Sequence, residues 1–448
     1  MIDTIINLLQ HGLGSLASYL AAHVLMCLLP AFFIAGALVT MIPKAAITRY
    51  LGKNAPKWIS YPAAALGGFV LAVCSCTIMP LFASIHKKGA GIGPAITFLF
   101  VGPAVNILAI SFTGVQIGMD IALARVLLSI FFGILIGLLI AWIFKKDEAE
   151  RQKGNNQLFA HKAAIPGKNT LFFVLLLAIL ITGTLQINLF QSELVTVPIQ
   201  APWANRVQVL LSRWIPSNPD LGIEGVSVHG LILIGLLVLI GASAVKGLST
   251  VDESFNNWTY LTLILITITL LIASIKLPVI GNQIAIILTG RFLTETILMI
   301  ALWIIAKQLF SESDLGSWLW ETWRFVKQIL PLLLAGVFAA GVVRGLIPAN
   351  WIESIAGKNT LMANLIGVLF GVFMYFPTLV EVPIAQTFLS LGMHRGPLLA
   401  YLLADPELSI QSILITSSVI GKKKTFVYVI LVTIFTTLAG LIFGYFIT

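Results

Sequence analysis

The feature that most constrains this chain is a series of continuous apolar stretches, each about 20 residues or longer. Stretches of that length span the hydrocarbon core of a bilayer as α-helices, whereas a transmembrane β-barrel shows alternating segments of roughly ten residues. Hydrophobic residues make up 58% of the 448 residues and charged residues only 10%, which is too few to cover a water-facing surface. The sequence therefore predicts an all-α polytopic membrane protein.

Charge, cysteine content and motifs exclude other classes of protein. The net charge of +9, from 27 basic and 18 acidic residues, predicts basic cytoplasmic loops and no nucleic-acid partner. The three cysteines all lie in apolar segments, which excludes a secreted disulfide scaffold. The chain has no Gly-Lys-Ser/Thr nucleotide loop, no zinc-protease motif and no serine-hydrolase motif. We therefore expect a protein that is not an enzyme and carries no cofactor.

An internal repeat is the most informative pattern in the chain. Residues 36–54 align with residues 341–359, and further on a constant offset of 303 residues superposes helix-breaking residues. The superposed pairs are Pro80 and Pro383, Gly89 and Gly392, Gly93 and Gly396, Pro94 and Pro397, and Pro103 and Pro406. Because the matching positions are helix breakers, the similarity exceeds that of any two apolar helices. It predicts two homologous membrane repeats.

The apolar runs predict about twelve transmembrane helices. They lie near residues 14–42, 57–86, 92–113, 120–144, 170–190, 228–246, 259–277, 282–306, 326–347, 361–391, 396–418 and 425–447. We predict a first membrane repeat over residues 1–144, a cytoplasmic linker over 145–169, connector helices over 170–325 with a wet loop at 191–227, and a second membrane repeat over 326–448. Three tryptophans beside charges in residues 311–327 predict an interfacial helix.

Two observations point in opposite directions on how the repeats are oriented. Basic residues mark cytoplasmic loops. Lys87 and Lys88 follow the second predicted span of the first repeat, whereas the basic cluster at residues 422–424 follows the third predicted span of the second repeat. That swap favours inverted repeats. Four connector helices between two units of four helices would instead make the repeats parallel. We give the charge swap more weight and predict inverted repeats with broken helices.

Prolines interrupt two predicted helices in each repeat. A proline has no backbone N–H, so it frees the carbonyl four residues earlier. A free carbonyl at bilayer depth is tolerated where it is buried in protein or lines a wet cavity. Broken helices at corresponding positions of two repeats predict a substrate site near the midplane, and a purely structural kink is the simpler alternative. The prolines are Pro80, Pro103, Pro377, Pro383 and Pro406.

The break in the first repeat carries the sequence Cys74-Ser75-Cys76-Thr77. In an unwound backbone, residues two apart face the same way, so Cys74 and Cys76 could bind one soft metal ion or metalloid. Cys27 is a weaker candidate for a third sulfur ligand, because a lone membrane cysteine is more often a small apolar filler. The pair at the break is therefore predicted to bind a thiophilic substrate.

Acidic residues mark the breaks of the second repeat. Glu381 lies between two prolines, and Asp405 and Glu407 flank a third. A charged side chain at the bilayer centre costs at least about 2.5–3.5 kcal/mol, so such residues generally line a pathway or carry protons. Asp405 and Glu407 could instead cap a helix near an interface. Arg291 and Glu295, four residues apart in the connector, are predicted to be a neutralising structural pair.

These residues together predict one cavity between the repeats, where residues 74–80 meet residues 376–383. Glu381 is predicted to carry a coupling proton there. The predicted substrate-binding residues are Cys74, Cys76, Thr77, Pro80, Asn106, Pro377, Glu381, Pro383, Asp405 and Glu407.

Residues 74–107, CSCTIMPLFASIHKKGAGIGPAITFLFVGPAVNI, resemble the signature of the ArsP/YraQ-type predicted permeases. That signature runs Cys-Ser-Cys, a proline four residues on, a turn containing glycine, then Phe-Leu, a small residue with proline, and asparagine. The resemblance implies a two-repeat permease of the bacterial inner membrane, and in some members an efflux carrier for trivalent organoarsenicals. Cys74 and Cys76 fall on the cysteine pair of the family, and Thr77 stands where a glycine is expected.

The sequence thus favours a secondary transporter that exports a small thiophilic substrate, with proton coupling as one option for its driving force. The alternatives are a permease for another soft metal or sulfur compound, and a membrane protein that transfers electrons by thiol–disulfide exchange. The second of these normally has cysteines in both halves, and residues 326–448 contain none. The lipid bilayer is an expected partner, and a homodimer is left open.

Overall fold

The structure, a computed structural model, describes residues 2–22, 24–52, 55–71, 75–105, 110, 113–114, 116–153, 166–184, 188–215, 225–252, 254–344, 354–373 and 378–446. Within these residues the chain forms twenty α-helices, one π-helical turn and three short β-strands. It is therefore an all-α membrane protein with a small sheet added in its middle part.

The amino-terminal part comprises α1 (Ile2–Ala22), a π-helical turn (Val24–Leu28), α2 (Leu29–Met41), α3 (Lys44–Leu51), α4 (Lys57–Leu71), α5 (Ser75–Lys87), α6 (Ile92–Ala104), α7 (Met119–Ile143) and α8 (Lys145–Lys153). The middle part comprises α9 (Gly167–Thr184), α10 (Asn188–Gln191), β1 (Glu193–Gln200), α11 (Pro202–Trp214), α12 (Val228–Gly247), α13 (Asn257–Ala273), β2 (Val279–Ile280), β3 (Gln283–Thr289) and α14 (Gly290–Leu309). The carboxyl-terminal part comprises α15 (Glu312–Arg344), α16 (Leu361–Phe373), α17 (Thr378–Ser390), α18 (Arg395–Leu408), α19 (Ile410–Ile420) and α20 (Lys422–Phe446).

The internal repeat is visible in the helix boundaries. Adding 303 to the bounds of α5 gives those of α17, and adding 303 to the bounds of α7 gives those of α20. The turn after α5 contains Gly89 at φ 96°, and the turn after α17 contains Gly392 at φ 90°. Glycine is suited to both turns because a side chain would strain a positive φ. The duplication predicted from the helix breakers is therefore present in the backbone.

Close helix contacts also recur at equivalent positions of the two repeats. A Cβ atom at Gly93 would lie 2.8 Å from the carbonyl oxygen of Gly137, and one at Gly396 would lie 2.8 Å from the carbonyl oxygen of Gly440. The first contact joins α6 to α7 and the second joins α18 to α20. Small residues let helix backbones approach closely in membranes, where van der Waals packing drives helix association.

Equivalent helices of the two repeats run in opposite directions. Gly93 of α6 packs against Gly137 of α7, and the Thr97 hydroxyl, four residues later in α6, donates to the carbonyl of Gly133, four residues earlier in α7. The two helices are therefore antiparallel, and α6 begins on the side where α7 ends. In contrast, Arg395 at the start of α18 pairs with Asp120 at the start of α7, at 2.8 Å. Lys424 at the start of α20 lies over the ring of Phe144, which follows α7. The repeats are therefore inverted, as predicted.

The predicted spans 57–86 and 361–391 are not single crossings. Gly68 of α4 packs against the backbone of Gly102, so α4 runs alongside α6 in the same direction. Ile78 of α5 packs against the same glycine, and α5 then turns directly into α6, so α5 runs the opposite way. In the second repeat, Gly371 of α16 packs against Asp405 in the same manner. Each predicted span is therefore a helical hairpin that enters and leaves on one side.

The hairpins resolve the conflict between the two orientation arguments. Counting each of the other predicted runs as one crossing, each repeat contributes three crossings and one hairpin instead of four crossings. With an odd number of crossings per repeat, four connector helices make the repeats inverted. The helix count and the charge swap then favour the same orientation.

Length and composition identify fewer spans than the sequence predicted. Of the described helices, six are long and apolar enough to cross a bilayer, and a seventh is obtained if α18 and α19, bent by 45°, form one span. Four further apolar helices are shorter, among them α2 and α6. The protein is polytopic, and the count of about twelve helices is not confirmed.

A three-stranded antiparallel sheet of order β1-β3-β2 lies in the middle part. The sequence predicted a helix over residues 282–306, and this is wrong for its first residues, because β3 occupies Gln283–Thr289 before α14 begins. Side chains along β3 alternate in burial, and its Ile-Ala-Ile-Ile sequence favours a strand. The predicted wet loop at 191–227 contains regular structure, because β1 occupies Glu193–Gln200 and α11 occupies Pro202–Trp214.

The predicted interfacial helix at residues 311–327 is also wrong as a separate element. α15 runs without interruption from Glu312 to Arg344. Trp318 is buried, and its indole nitrogen donates to the Phe33 carbonyl at 2.9 Å. Tryptophan composition suggested an interface, but these rings pack helix against helix.

Candidate functional site

The two repeats are joined by a buried ion pair. Arg125 of α7 donates from Nη2 to Oε2 of Glu381 of α17 at 2.9 Å. The side chain of Arg125 is 0% exposed and that of Glu381 is 1% exposed. Charge pairing and hydrogen bonding offset part of the cost of burying two charges, and removing one partner leaves the other uncompensated.

Sequence reasoning identified Glu381 and missed Arg125. Arg125 is the only charged residue between Asp120 and Lys145, in a predicted membrane span. An ionisable residue within a span is by default a candidate functional residue, and its partner has to be sought elsewhere in the bundle. The sequence signal for Arg125 is therefore its position as a lone basic residue within an apolar span.

A second buried carboxylate lies close to this pair. Glu407, near the end of α18, accepts a hydrogen bond at Oε2 from the Tyr428 hydroxyl of α20 at 2.8 Å. Glu407 is 1% exposed, and its helix, α18, packs against both the helix of Arg125 and the helix of Glu381. The cluster of Arg125, Glu381, Glu407 and Tyr428, called the charge cluster below, thus draws on four helices and both repeats.

The charge cluster lies beside the break that follows α18. Ser409 separates α18 from α19, and its hydroxyl accepts from the backbone N–H of Ser412 at 3.3 Å, which caps α19. Gln411 in the first turn of α19 is buried, and its amide has no hydrogen-bond partner among the described residues. A polar buried break of this kind is what a binding site at the end of two half-helices requires.

The remaining predicted acid, Asp405, is fully buried in α18. Its backbone packs against Gly371 of α16, where a Cβ would lie 2.8 Å from the Asp405 nitrogen. Both acidic side chains are buried within the bundle, and Ser409, rather than Asp405 or Glu407, caps the helix that follows, α19.

Four of the five prolines lie inside described helices and do not end them: Pro80, Pro103, Pro383 and Pro406. Pro80 is the sixth residue of α5, and Pro383 is the sixth residue of α17. The prediction that Pro80 and Pro383 break their helices is therefore wrong for these described segments. Thr77 and Pro80 are buried in α5, as expected for residues near a site within the bundle.

Part of the predicted site lies outside the described residues. These positions are Cys74, Asn106 and Pro377, together with the side chains of Cys27, Cys76 and Pro383, whose backbones belong to the π-helical turn, α5 and α17. Their juxtaposition with the acids stays a prediction. Among the residues that are described, no group of three or more His, Cys, Asp or Glu side chains could hold a metal ion.

One contact ties the cysteine-bearing helix to the second repeat. The Thr416 hydroxyl of α19 lies 3.9 Å from the Met79 sulfur of α5, and both residues are buried. Met79 is three residues after Cys76. Helix α5 therefore packs against the broken helix of the other repeat, as a shared site between repeats requires.

The Arg291–Glu295 segment of the connector is separate from the charge cluster. Glu295 is buried and accepts a hydrogen bond from the Thr182 hydroxyl of α9 at 2.7 Å. This bond joins α14 to α9 within the connector. The position is in keeping with the structural role predicted for the pair.

Comparison with known proteins gives a family and one close relative. The chain matches the ArsP_1 family, described as a predicted permease, over residues 10–445. It is similar to UPF0718 protein MJ0584 of Methanocaldococcus jannaschii, with 34% identity over 444 residues, 98% of this chain and 97% of the relative. No solved structure matches the chain.

Proposed function

Because the chain belongs to the ArsP_1 family of predicted permeases, we propose that it is a secondary transporter that exports a small thiophilic substrate by alternating access. A trivalent organoarsenical or a related metalloid compound is the proposed substrate class. The family membership agrees with the resemblance of residues 74–107. We further propose that the protein resides in the cytoplasmic membrane, which is the inner membrane in bacteria with two membranes.

The observation that carries the proposal is the buried ion pair between Arg125 and Glu381, which joins two inverted repeats. Ionisable groups within a membrane bundle are costly and generally mark a pathway or a relay. In transporters built from inverted repeats, substrate sites lie at the interface of the repeats near the midplane, beside broken helices. The charge cluster supports the proposal, since it combines α7 of one repeat with α17, α18 and α20 of the other.

The proposed substrate class is supported by the two cysteines of the Cys-Ser-Cys sequence, Cys74 and Cys76. The segment between Leu71 at the end of α4 and Ser75 at the start of α5 includes Cys74, and Cys76 follows in the first turn of α5. Two sulfur ligands select soft, thiophilic species over hard cations. A trivalent arsenical with one organic group has two positions that thiolates can occupy. The pair is therefore suited to a species of that kind.

The driving force is proposed to be an ion gradient. The chain carries no nucleotide-binding loop of the Gly-Lys-Ser/Thr type, so it does not supply ATP hydrolysis by itself. The buried carboxylates provide groups that a proton gradient can act on. Proton-driven exchange of a cytoplasmic substrate is the mechanism that the charge cluster supports best.

The test is resistance profiling followed by transport in vesicles. A host strain without arsenical exporters would express the wild-type chain or its Cys74→Ser/Cys76→Ser variant, and growth would be scored against trivalent organoarsenicals, antimonials, copper and zinc. Everted vesicles would then be assayed for uptake of the compound to which resistance is gained. We expect wild-type-specific resistance to a trivalent organoarsenical. Absence of resistance and uptake for every compound would overturn the proposal.

The same membranes distinguish the electron-transfer alternative. Thiol-specific gel-shift labelling of Cys74 and Cys76, with and without prior reduction, reports whether the pair forms a disulfide. A transporter ligand pair should stay reduced during turnover. A pair that cycles between thiols and a disulfide would favour the electron-transfer function.

A further inference from the structure

We propose that Glu407, hydrogen-bonded by Tyr428, is the group that binds and releases the coupling proton, and that Glu381 is a fixed charge held by Arg125. This inference rests on the proposed transport function and refines it. It also replaces the expectation from sequence that Glu381 carries the proton.

The geometry of Glu407 provides a place for a proton. Its Oε2 atom accepts from the Tyr428 hydroxyl at 2.8 Å, as the carbonyl oxygen of a carboxylic acid can. Its Oε1 atom is buried and has no hydrogen-bond partner among the described residues. A proton on Oε1 would leave the bond from Tyr428 intact. The neutral form of Glu407 thus fits the hydrogen bonds that the structure gives it.

The charged residues around Glu407 also favour its neutral form. The helices in contact with α18 contribute Asp120 and Arg125 from α7, Glu381 from α17, and Tyr428 and three lysines in the first turn of α20, whereas the described residues of α6, α16 and α19 include no charged side chain. Asp120 pairs with Arg395, and the lysines Lys422, Lys423 and Lys424 are not buried. Asp405 lies on α18 itself, two residues earlier. Arg125 is thus the one fully buried cation among the described residues of these helices, and it bonds one, Glu381, of the three carboxylates buried on α17 and α18. Like charges that share a site cannot all ionise without a large cost.

Position distinguishes the carboxylates. Glu381 holds Arg125 in a direct bond of 2.9 Å and is therefore the carboxylate that Arg125 neutralises. Asp405 is two residues from Glu407, and side chains two apart on a helix point about 200° apart. Asp405 packs near α16, whereas Glu407 points to Tyr428 of α20. Glu407 is the carboxylate that lies near the ion pair without being part of it.

Each transport cycle binds and releases one proton at Glu407. In the neutral state the Oε1–H bond of Glu407 is intact. On release, that bond breaks, the proton passes to water on one side of the membrane, and the electron pair stays on the carboxylate. The new negative charge is compensated when Arg125 is shared between Glu381 and Glu407. Rebinding of a proton from the other side restores the first state, so one proton moves for each cycle.

The experiment measures exchange and gradient-driven transport separately in proteoliposomes. The probe is a trivalent methylarsenical, and the variants are Glu407→Gln, Tyr428→Phe and, as a matched control, Glu295→Gln, which alters a buried glutamate of the connector. We expect Glu407→Gln to retain substrate exchange between the two sides without a gradient, and to lose at least tenfold of the accumulation driven by a pH gradient. Tyr428→Phe should shift the pH profile of accumulation, and Glu295→Gln should leave both activities near wild type.

A second measurement does not depend on transport. Infrared difference spectra of the purified protein across a pH titration should show the C=O stretch of a protonated carboxylic acid that disappears in Glu407→Gln. If wild type exchanges no arsenical at all, the proposed function fails and this spectrum still tests the proton site. If wild type accumulates the arsenical and Glu407→Gln does so with the same pH dependence and the same spectrum, the inference is overturned.

Discussion

Arg125 and Tyr428 occupy the same position in the two repeats, 303 residues apart, and each donates a hydrogen bond to a buried glutamate of the second repeat. The Arg125 bond crosses from α7 to α17, and the Tyr428 bond joins α20 to α18. One position of the ancestral repeat has thus become a permanent cation in one copy and a neutral donor in the other. Glu381 therefore has a charged partner, whereas Glu407 has an uncharged hydroxyl as its partner.

The first prediction concerns the stability of the ion pair. Arg125→Met should destabilise the purified protein by about 3–5 kcal/mol, because it leaves Glu381 buried without a counter-charge. The double variant Arg125→Met/Glu381→Met should recover most of that loss, since no charge then remains at the contact. Thermal unfolding in detergent, followed by intrinsic tryptophan fluorescence, is the measurement.

The matched control for that cycle is the partly exposed pair between Asp120 and Arg395, which also joins the repeats. Arg395→Met should cost only about 0–1 kcal/mol, as exposed pairs do. Equal effects of Arg125→Met and Arg395→Met would show that the buried pair contributes no more to stability than the partly exposed pair.

The second prediction concerns the sulfur ligands. Cys74→Ser and Cys76→Ser should each abolish transport of a trivalent organoarsenical while the amount of protein in the membrane stays unchanged, because the substitution hardly alters volume but removes a soft ligand. Cys27→Ser should have a milder effect. Uptake into everted vesicles, normalised to immunoblot intensity, measures this. Full transport by both single variants of the pair would contradict the assignment.

The third prediction concerns helix contacts. Gly396→Ala should destabilise the protein by about 1–3 kcal/mol, because its Cβ would press on the carbonyl oxygen of Gly440 and force α18 away from α20. Gly93→Ala should have a similar effect at the equivalent contact in the first repeat. Gly235→Ala in α12 is the control, since its Cβ meets nothing within 4 Å. Unfolding temperatures that are lowered equally at all three positions would speak against the packing argument.

The fourth prediction concerns topology. Met119 and Lys422 are the first residues of α7 and α20, occupy equivalent positions and are both exposed. Cysteines at these positions should react with a membrane-impermeant maleimide from opposite sides of the membrane, with Lys422→Cys labelled from the cytoplasm. Lys87→Cys, at the end of α5, is an internal reference and should be labelled from the same side as Lys422→Cys. Labelling of the two equivalent positions from one side would indicate parallel repeats.

The sequence by itself determined that this chain folds in a bilayer and that it contains a duplication. It also identified most of the buried acids. Continuous apolar runs can be satisfied only by helices in a bilayer, and this physical constraint needs no tertiary information. The recurrence of prolines and glycines at an offset of 303 located the repeat because breakers act on the backbone locally. Glu381, Asp405 and Glu407 were identifiable because a buried carboxylate is costly wherever it lies.

Only the tertiary structure decided which charges meet and how often the chain crosses. The sequence of residues 57–86 has the same apolar composition whether it crosses once or folds back, and the difference depends on whether α5 packs against α6 in the opposite direction to α4. The partner of Glu381 lies 256 residues earlier in the chain, in a helix of the other repeat. No local pattern encodes that distance, because the pairing is set by the inverted arrangement of α7 and α17 and by the cost of leaving either charge alone in the bundle.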